Sequence, residues 1–435
     1  MHQAPRLFIP KPCLPWLGLF LTLLIQAQPL VIHEDESKVP SYKLPSLLNM
    51  ENGMPVQTES AWVHFRRPEL LEMFTHQMYG AVPDGQVSVS AELLSEEDGL
   101  MDGMARRKQV LLRLAREGSD SSAEVHLLIY TPMTEKAVPA FLGLNFYGNH
   151  TITADKGVRI STAWMRDNPR QGVVNHRSTE ASRGVLSTRW PIETIMKRGY
   201  GLVTAYYGDI DPDFDDGWKN GIHPLFYRQH QQAPEVHQWG SIAAWAWGLS
   251  RILDHLELEP WIDHHRIAVM GHSRLGKTAL WAGATDPRFA MVISNNSGCG
   301  GAALSRRAYG ETVRQINSSF PHWFCDAFTR FNDRESSLPF DQHQLIALMA
   351  PRPVYVASAV EDQWADPKGE FLSAKHASEV YRLLGVRGIE LDQMPDLNHP
   401  VGSRVRFHIR SGKHDVTDYD WEQYLRFADE MLPSQ

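Results

Sequence analysis

Arg266-Ile-Ala-Val-Met-Gly-His-Ser-Arg-Leu-Gly-Lys277, followed by Thr278-Ala-Leu-Trp-Ala-Gly-Ala284, is the stretch from which the fold can be read. Arg266 to Met270 is short, apolar and β-branched, the composition of a buried strand. Gly271 and Gly276 bracket Ser273, and Thr278 to Ala284 reads as a helix of small and apolar residues. Strand, glycine-flanked serine and helix make a nucleophile elbow, a sharp turn that lifts a hydroxyl above a sheet and aims a helix N-terminus beside it. The glycines are expected because strand and helix backbones pass too close to admit a Cβ. The competing reading is an ordinary strand-to-helix turn whose serine caps the helix.

Upstream of the elbow, Ala61 to Tyr79 reads as a helix. Val87 to Ala91, Val110 to Leu114 and Val125 to Pro132 alternate as antiparallel leading strands. Ala137 to Phe146 and Arg198 to Tyr206 are apolar strands, the second followed by an acidic loop from Gly208 to Gly217. Trp239 to Leu256 is helical by the recurrence of Ile242, Leu249 and Leu253 on one face. Downstream come strands at Phe289 to Ser294 and Arg352 to Val360, and a helix from Phe371 to Leu384. Gly388 to Asp392, a polar histidine-bearing loop and a helix from Tyr419 to Leu432 close the chain. Antiparallel strands followed by alternating strand and helix predict an α/β fold: a mostly parallel central sheet with antiparallel leading strands and helices on both faces. No repeat or low-complexity linker divides it, so residues 28–435 read as one domain.

The chain has 435 residues, 43% hydrophobic and 22% charged, an ordinary globular balance. A net charge of −8 argues against nucleic acid or an anionic membrane as partner. Thirteen Trp and thirteen Tyr offer flat rings for stacking on sugars. At the N-terminus Arg6 and Lys11 precede the apolar run Leu14 to Ile25 and then Gln-Ala-Gln, the pattern of a secretory leader spanning residues 1–27. The expected location is secreted or periplasmic, with no membrane association after leader cleavage, and the expected state is a monomer. Cys13 would leave with the leader. Cys299 and Cys325 would remain, either as a disulfide in an oxidising compartment or as two buried thiols. No metal-ligand spacing such as His-Glu-x-x-His occurs, and no cofactor is expected.

A serine hydroxyl is a weak nucleophile until a neighbouring imidazole takes its proton, and the imidazole needs a carboxylate behind it. In α/β-hydrolases the chain order is serine, acid, histidine. That order is available as Ser273, then Asp362 just beyond a late strand, then His399, His408 or His414 in the terminal loop.

Four segments together carry a resemblance: Gly271 to Lys277, Asn295 to Arg307, Glu361 to Glu370 and His408 to Asp415. From about Leu127 to its end the chain resembles the bacterial glucuronoyl esterases of carbohydrate esterase family 15, in the α/β-hydrolase superfamily. The resemblance implies hydrolysis of the ester joining (4-O-methyl-)glucuronic acid side chains of xylan to lignin alcohols. It makes Ser273 the nucleophile, His414 the base and Arg274 the oxyanion group through its backbone N–H and guanidinium. Lys277, Glu311 and Trp364 would bind the hydroxyls of the uronate ring. Many relatives carry the triad glutamate on the loop after the strand that follows the elbow. Asn296 stands there in this chain and can carry no charge, so the acid is expected at Asp362. The alternatives are an acetyl-xylan or other carbohydrate esterase using the same residues, and a glycan-binding homologue with weakened catalysis.

Overall fold

The computed structural model describes residues 33–119 and 121–433. The expected leader, residues 1–27, lies outside them. Ten strands form one sheet: β1 Val87–Gly99, β2 Ala105–Arg116, β3 Ser122–Pro132, β4 Val138–Asn145, β5 Gly201–Tyr206, β6 Ile262–His272, β7 Met291–Asn295, β8 Val354–Ala359, β9 Val401–Gly402 and β10 Val405–Arg410. Their spatial order is β1-β2-β3-β5-β4-β6-β7-β8-β10-β9. Strands β1, β2, β3 and β5 pair antiparallel in turn, from β5 through β4, β6, β7 and β8 to β10 every pairing is parallel, and β9 closes the far edge antiparallel. This is the α/β-hydrolase arrangement expected from the elbow.

Both faces of the inner parallel strands are covered, so their central residues are apolar in succession rather than alternating. In β6, Ile267 and Val269 join one core and Ala268 and Met270 the other; in β8, Val354 and Val356 face one side and Tyr355 and Ala357 the opposite. The first core packs under helices α1 Ser241–Leu256, α2 Arg274–Thr285 and α3 Pro367–Leu383. The second lies under α4 Asp418–Met431, which contributes Trp421, Tyr424, Leu425 and Phe427. No helix among the described residues is long and apolar enough to cross a membrane.

Two expectations need correction. The stretch read as a terminal loop contains β10, a strand whose Val405, Phe407 and Ile409 alternate with Arg406, His408 and Arg410. The polar half of that alternation disguises it. His408 and Arg410 are nonetheless buried, because both bind the buried carboxylate of Asp420, at 3.0 and 2.7 Å. The disulfide is also absent: Cys299 and Cys325 are both free thiols. Each is buried as a small core residue. Burial raises both thiols, Cys325 to about 12, so neither has thiolate character.

Candidate active site

Strand β6 ends at His272, and Ser273 then adopts φ 59°, ψ −128°, a conformation that costs on the order of 1–3 kcal/mol in a non-glycine residue. Gly271 is required here: a Cβ on it would lie 1.8 Å from the Leu275 carbonyl oxygen. Gly276 is merely tight, its imagined Cβ 3.0 Å from the Cβ of Ser297. Although Ser273 sits at the helix N-cap, its side chain makes no capping hydrogen bond. The hydroxyl is therefore not spent on the helix, which removes the reading of Ser273 as an ordinary cap.

The cleft above the elbow is lined by Ser273, Arg274, Lys277, Asn296, Glu311, Asp362, Trp364 and His414, with Phe320 and Trp323 among the others. All seven residues expected from the sequence thus meet in one cleft. Asp362 follows β8, and its Oδ2 accepts hydrogen bonds from His414 Nδ1 at 2.6 Å and Asn296 Nδ2 at 2.7 Å. A carboxylate only accepts, so His414 carries its proton on Nδ1 and leaves Nε2 as the basic nitrogen. Burial of Asp362 favours its neutral form, but the His414 contact and the Asn296 donor outweigh it and hold the carboxyl below its usual range.

The His414 loop is tethered from beneath. Arg410 donates to the carbonyls of Ser411 at 2.9 Å, Lys413 at 3.2 Å and Asp415 at 2.5 Å, while its Nε is fixed by Asp420. His408, one of the three candidate bases, belongs to that anchor through Asp420 and Tyr355. His399 is exposed and bonds the Leu397 carbonyl, outside the cleft. Behind His414 lies His272, ring centroids 4.4 Å apart, with its Nδ1 2.6 Å from Asn295 Oδ1. Burial drives the His272 imidazole well below its ordinary pKa, so it stays neutral beside His414.

On the other flank the Arg274 guanidinium pairs with Asp213 Oδ2 and lies 4.8 Å from the Trp323 ring centre. Asp213 is 1% exposed and also accepts from His322 Nε2 at 2.9 Å, Trp323 Nε1 at 2.8 Å and Tyr207 OH at 2.9 Å. Burial opposes its charge, yet the His322 hydrogen bond, the Arg274 charge and the Trp323 donor drive its pKa far down. One guanidinium N–H donor out of five goes to Asp213. Asp213, His322 and Tyr207 were not singled out in the sequence; the available signal was an acidic loop directly after β5.

Lys277 lies one helical turn beyond Ser273 and is buried, not solvated. Its Nζ donates to the Ser297 carbonyl at 2.5 Å, stands 4.0 Å from Glu311 Oε2 and lies 5.7 Å from the Trp323 ring centre. Burial lowers the ammonium and raises the Glu311 carboxyl, each partly offset by the other. The Glu311 N–H donates to the Trp364 carbonyl at 3.0 Å, tying their two loops together, and Trp364 is 39% exposed at the rim.

A family model for fungal glucuronyl esterases matches residues 193–385. The carbohydrate esterase MZ0003, from an unknown prokaryotic organism, is 52% identical over 409 residues, 94% of each chain. The structure of a promiscuous CE15 esterase from the marine bacterial metagenome is 50% identical, covers 92% of this chain and 100% of that one, and superposes with a TM-score of 0.86. A glucuronoyl esterase from Solibacter usitatus is 48% identical, covers 91% and 99%, and has a TM-score of 0.85. With a relative this similar along nearly its whole length, the chain belongs to the glucuronoyl esterases of carbohydrate esterase family 15.

Proposed function

We propose that the protein is a secreted, monomeric serine esterase that cleaves the ester between (4-O-methyl-)glucuronic acid side chains of xylan and lignin alcohols. The observation that carries this reading is the buried Lys277 and Glu311 pair, one helical turn from the nucleophile and in the same cleft as Asp362, His414 and Arg274. The two charges offset each other, and the ammonium and carboxylate keep donors and acceptors in the cleft beyond that pairing, which hydroxyls on the acyl side of a ligand can take up. A uronate ring presents such hydroxyls beside its carbonyl; an acetyl group does not. Trp364 at the rim supplies a face for the sugar.

In the proposed reaction His414 Nε2 takes the Ser273 proton as Oγ attacks the C6 carbonyl. Asp362 stabilises the imidazolium through Nδ1. The ester substrate is neutral at C6, so the Arg274 guanidinium and backbone N–H meet full negative charge only in the tetrahedral transition state, where stabilisation raises kcat. His414 then returns the proton to the departing alcohol oxygen, leaving a glucuronoyl ester on Ser273. Water, deprotonated by the same imidazole, attacks that ester and releases free glucuronate.

Saponification of benzyl glucuronate and of acetylated xylan by the wild type and Ser273→Ala tests the reading. The expected result is clear preference for the glucuronate ester and its loss in Ser273→Ala. Equal or greater release of acetate would favour the acetyl-xylan alternative, and hydrolysis surviving in Ser273→Ala would remove the serine mechanism.

A further inference from the structure

Glu370 stands in the first turn of α3, fully buried beneath the cleft rather than in it. Its Oε1 accepts from the Ser297 N–H at 2.8 Å, the Gly298 N–H at 2.9 Å and Ser297 Oγ at 3.2 Å. Its Oε2 accepts from Ser358 Oγ at 2.5 Å. The loop gripped in this way reaches the site twice. Asn296 donates to the acid Asp362, and the Ser297 carbonyl receives the Lys277 ammonium.

Asn296 at φ 46° and Gly298 at φ 58° are left-handed, and such conformations persist where the surroundings over-determine them. Asn296 is held by its N–H on the Ala357 carbonyl at 2.7 Å and by its bond to Asp362; at 297–298 the Glu370 carboxylate takes that part, satisfying two successive N–H donors with one oxygen. Its carboxylate oxygens meet N–H and O–H donors rather than a cation, and burial pushes its carboxyl up to about 7 against the pull of the Ser358 hydroxyl. A buried carboxyl held in this way is costly to the fold, and its geometric work is the return.

We propose that Glu370 is a positioning residue that sets the triad acid and the substrate clamp together, through hydrogen-bond acceptance from the 297–298 backbone. This rests on the roles given above to Asp362 and Lys277. Loss of the acceptor loosens both ends of the loop at once; loss of the charge alone does not.

Three variants test it, with folding checked by circular dichroism and melting. Glu370→Met fills the volume without an acceptor, and is expected to raise KM for benzyl glucuronate about 10-fold and lower kcat about 10-fold, the scale on which misplaced catalytic groups lose rate. Glu370→Gln keeps an acceptor oxygen, and should restore both constants to within about 3-fold of wild type. If Glu370→Met does not fold, Ser358→Ala releases only Oε2 and should still move KM and kcat together by about 3-fold. A folded Glu370→Met with wild-type constants overturns the proposal. So does Glu370→Gln as damaged as Glu370→Met, or Ser358→Ala with no effect. p-Nitrophenyl acetate, which has no ring hydroxyls, separates this proposal from the substrate reading. Failure of the wild type on glucuronate esters alone sinks the latter, while kcat on p-nitrophenyl acetate in Glu370→Met still tests the hold on Asp362.

Discussion

Two buried aspartates flank Ser273, and each holds a basic side chain over the cleft. On one flank Asp362 binds His414; on the other Asp213 binds Arg274. The partners differ in what they must do. The His414 side chain is 40% exposed and its carboxylate has just two side-chain donors, so the ring can gain and lose a proton in every turnover. Arg274 never changes charge. Asp213 can therefore be sealed at 1% exposure and saturated by Tyr207, His322 and Trp323 as well as the guanidinium. In the proposed mechanism the same residue pair type serves proton transfer where it is wet and fixed charge where it is dry. The proposed Ser–His–Asp chemistry needs both.

The sharpest way to break this comparison is to neutralise each aspartate in turn. Asp362→Asn should lower kcat on a glucuronate ester by about 10⁴-fold, because the amide favours the wrong imidazole tautomer and supplies no charge. Near-normal turnover would move the acid elsewhere. Asp213→Asn should lower kcat by about 10²-fold through a misplaced oxyanion group. It should also cost stability, since it removes the anion shared by the partly exposed Arg274 and by three neutral or imidazole donors at a site 1% exposed. A melting curve distinguishes the two flanks, since Asp362→Asn breaks a pair open to solvent and should shift the midpoint less.

The clamp differs from both flanks in its response to pH. Burial lowers the Lys277 pKa, so the ammonium loses its proton at a lower pH than an ordinary lysine near 10.4. KM for benzyl glucuronate should therefore rise on the alkaline side before ordinary lysines titrate, while KM for p-nitrophenyl acetate stays level. Parallel rises for both substrates would take Lys277 out of ring binding. The smallest effect expected is that of Asn296→Ala, a drop of about 10-fold in kcat, no less than that of Glu370→Met, since it removes the neutral donor through which the 297 loop reaches Asp362 and no charge.

The two flanks were not equally legible in the sequence. Ser273 and Asp362 follow apolar strands, and strand ends on a parallel sheet converge, so their meeting could be read from hydrophobic runs and chain order. The choice of His414 over His399 and His408 could not. It depended on the resemblance, because the strand that buries His408 is masked by Arg406 and Arg410. Asp213 was one of several aspartates in an acidic loop, with nothing in its spacing to mark it. Its partners His322 and Trp323 stand more than a hundred residues away and meet it only through packing. Lys277 entered the site through the resemblance alone, since helical spacing by itself does not bury a lysine and its burial comes from α2 packing against the 297 loop. Fixed-charge sites of this kind are assembled by tertiary contacts among unremarkable residues. A proton-transfer site leaves a trace in the order of its parts.

The central claim is that Asp362, and not Asn296, is the acid behind the catalytic imidazole. A proton held between His414 Nδ1 and a carboxylate at 2.6 Å is strongly deshielded, so proton NMR of the wild type should show a far-downfield resonance. The resonance should persist in Asn296→Ala and vanish in Asp362→Asn. A signal that survives Asp362→Asn, or that disappears with Asn296 instead, would contradict the account.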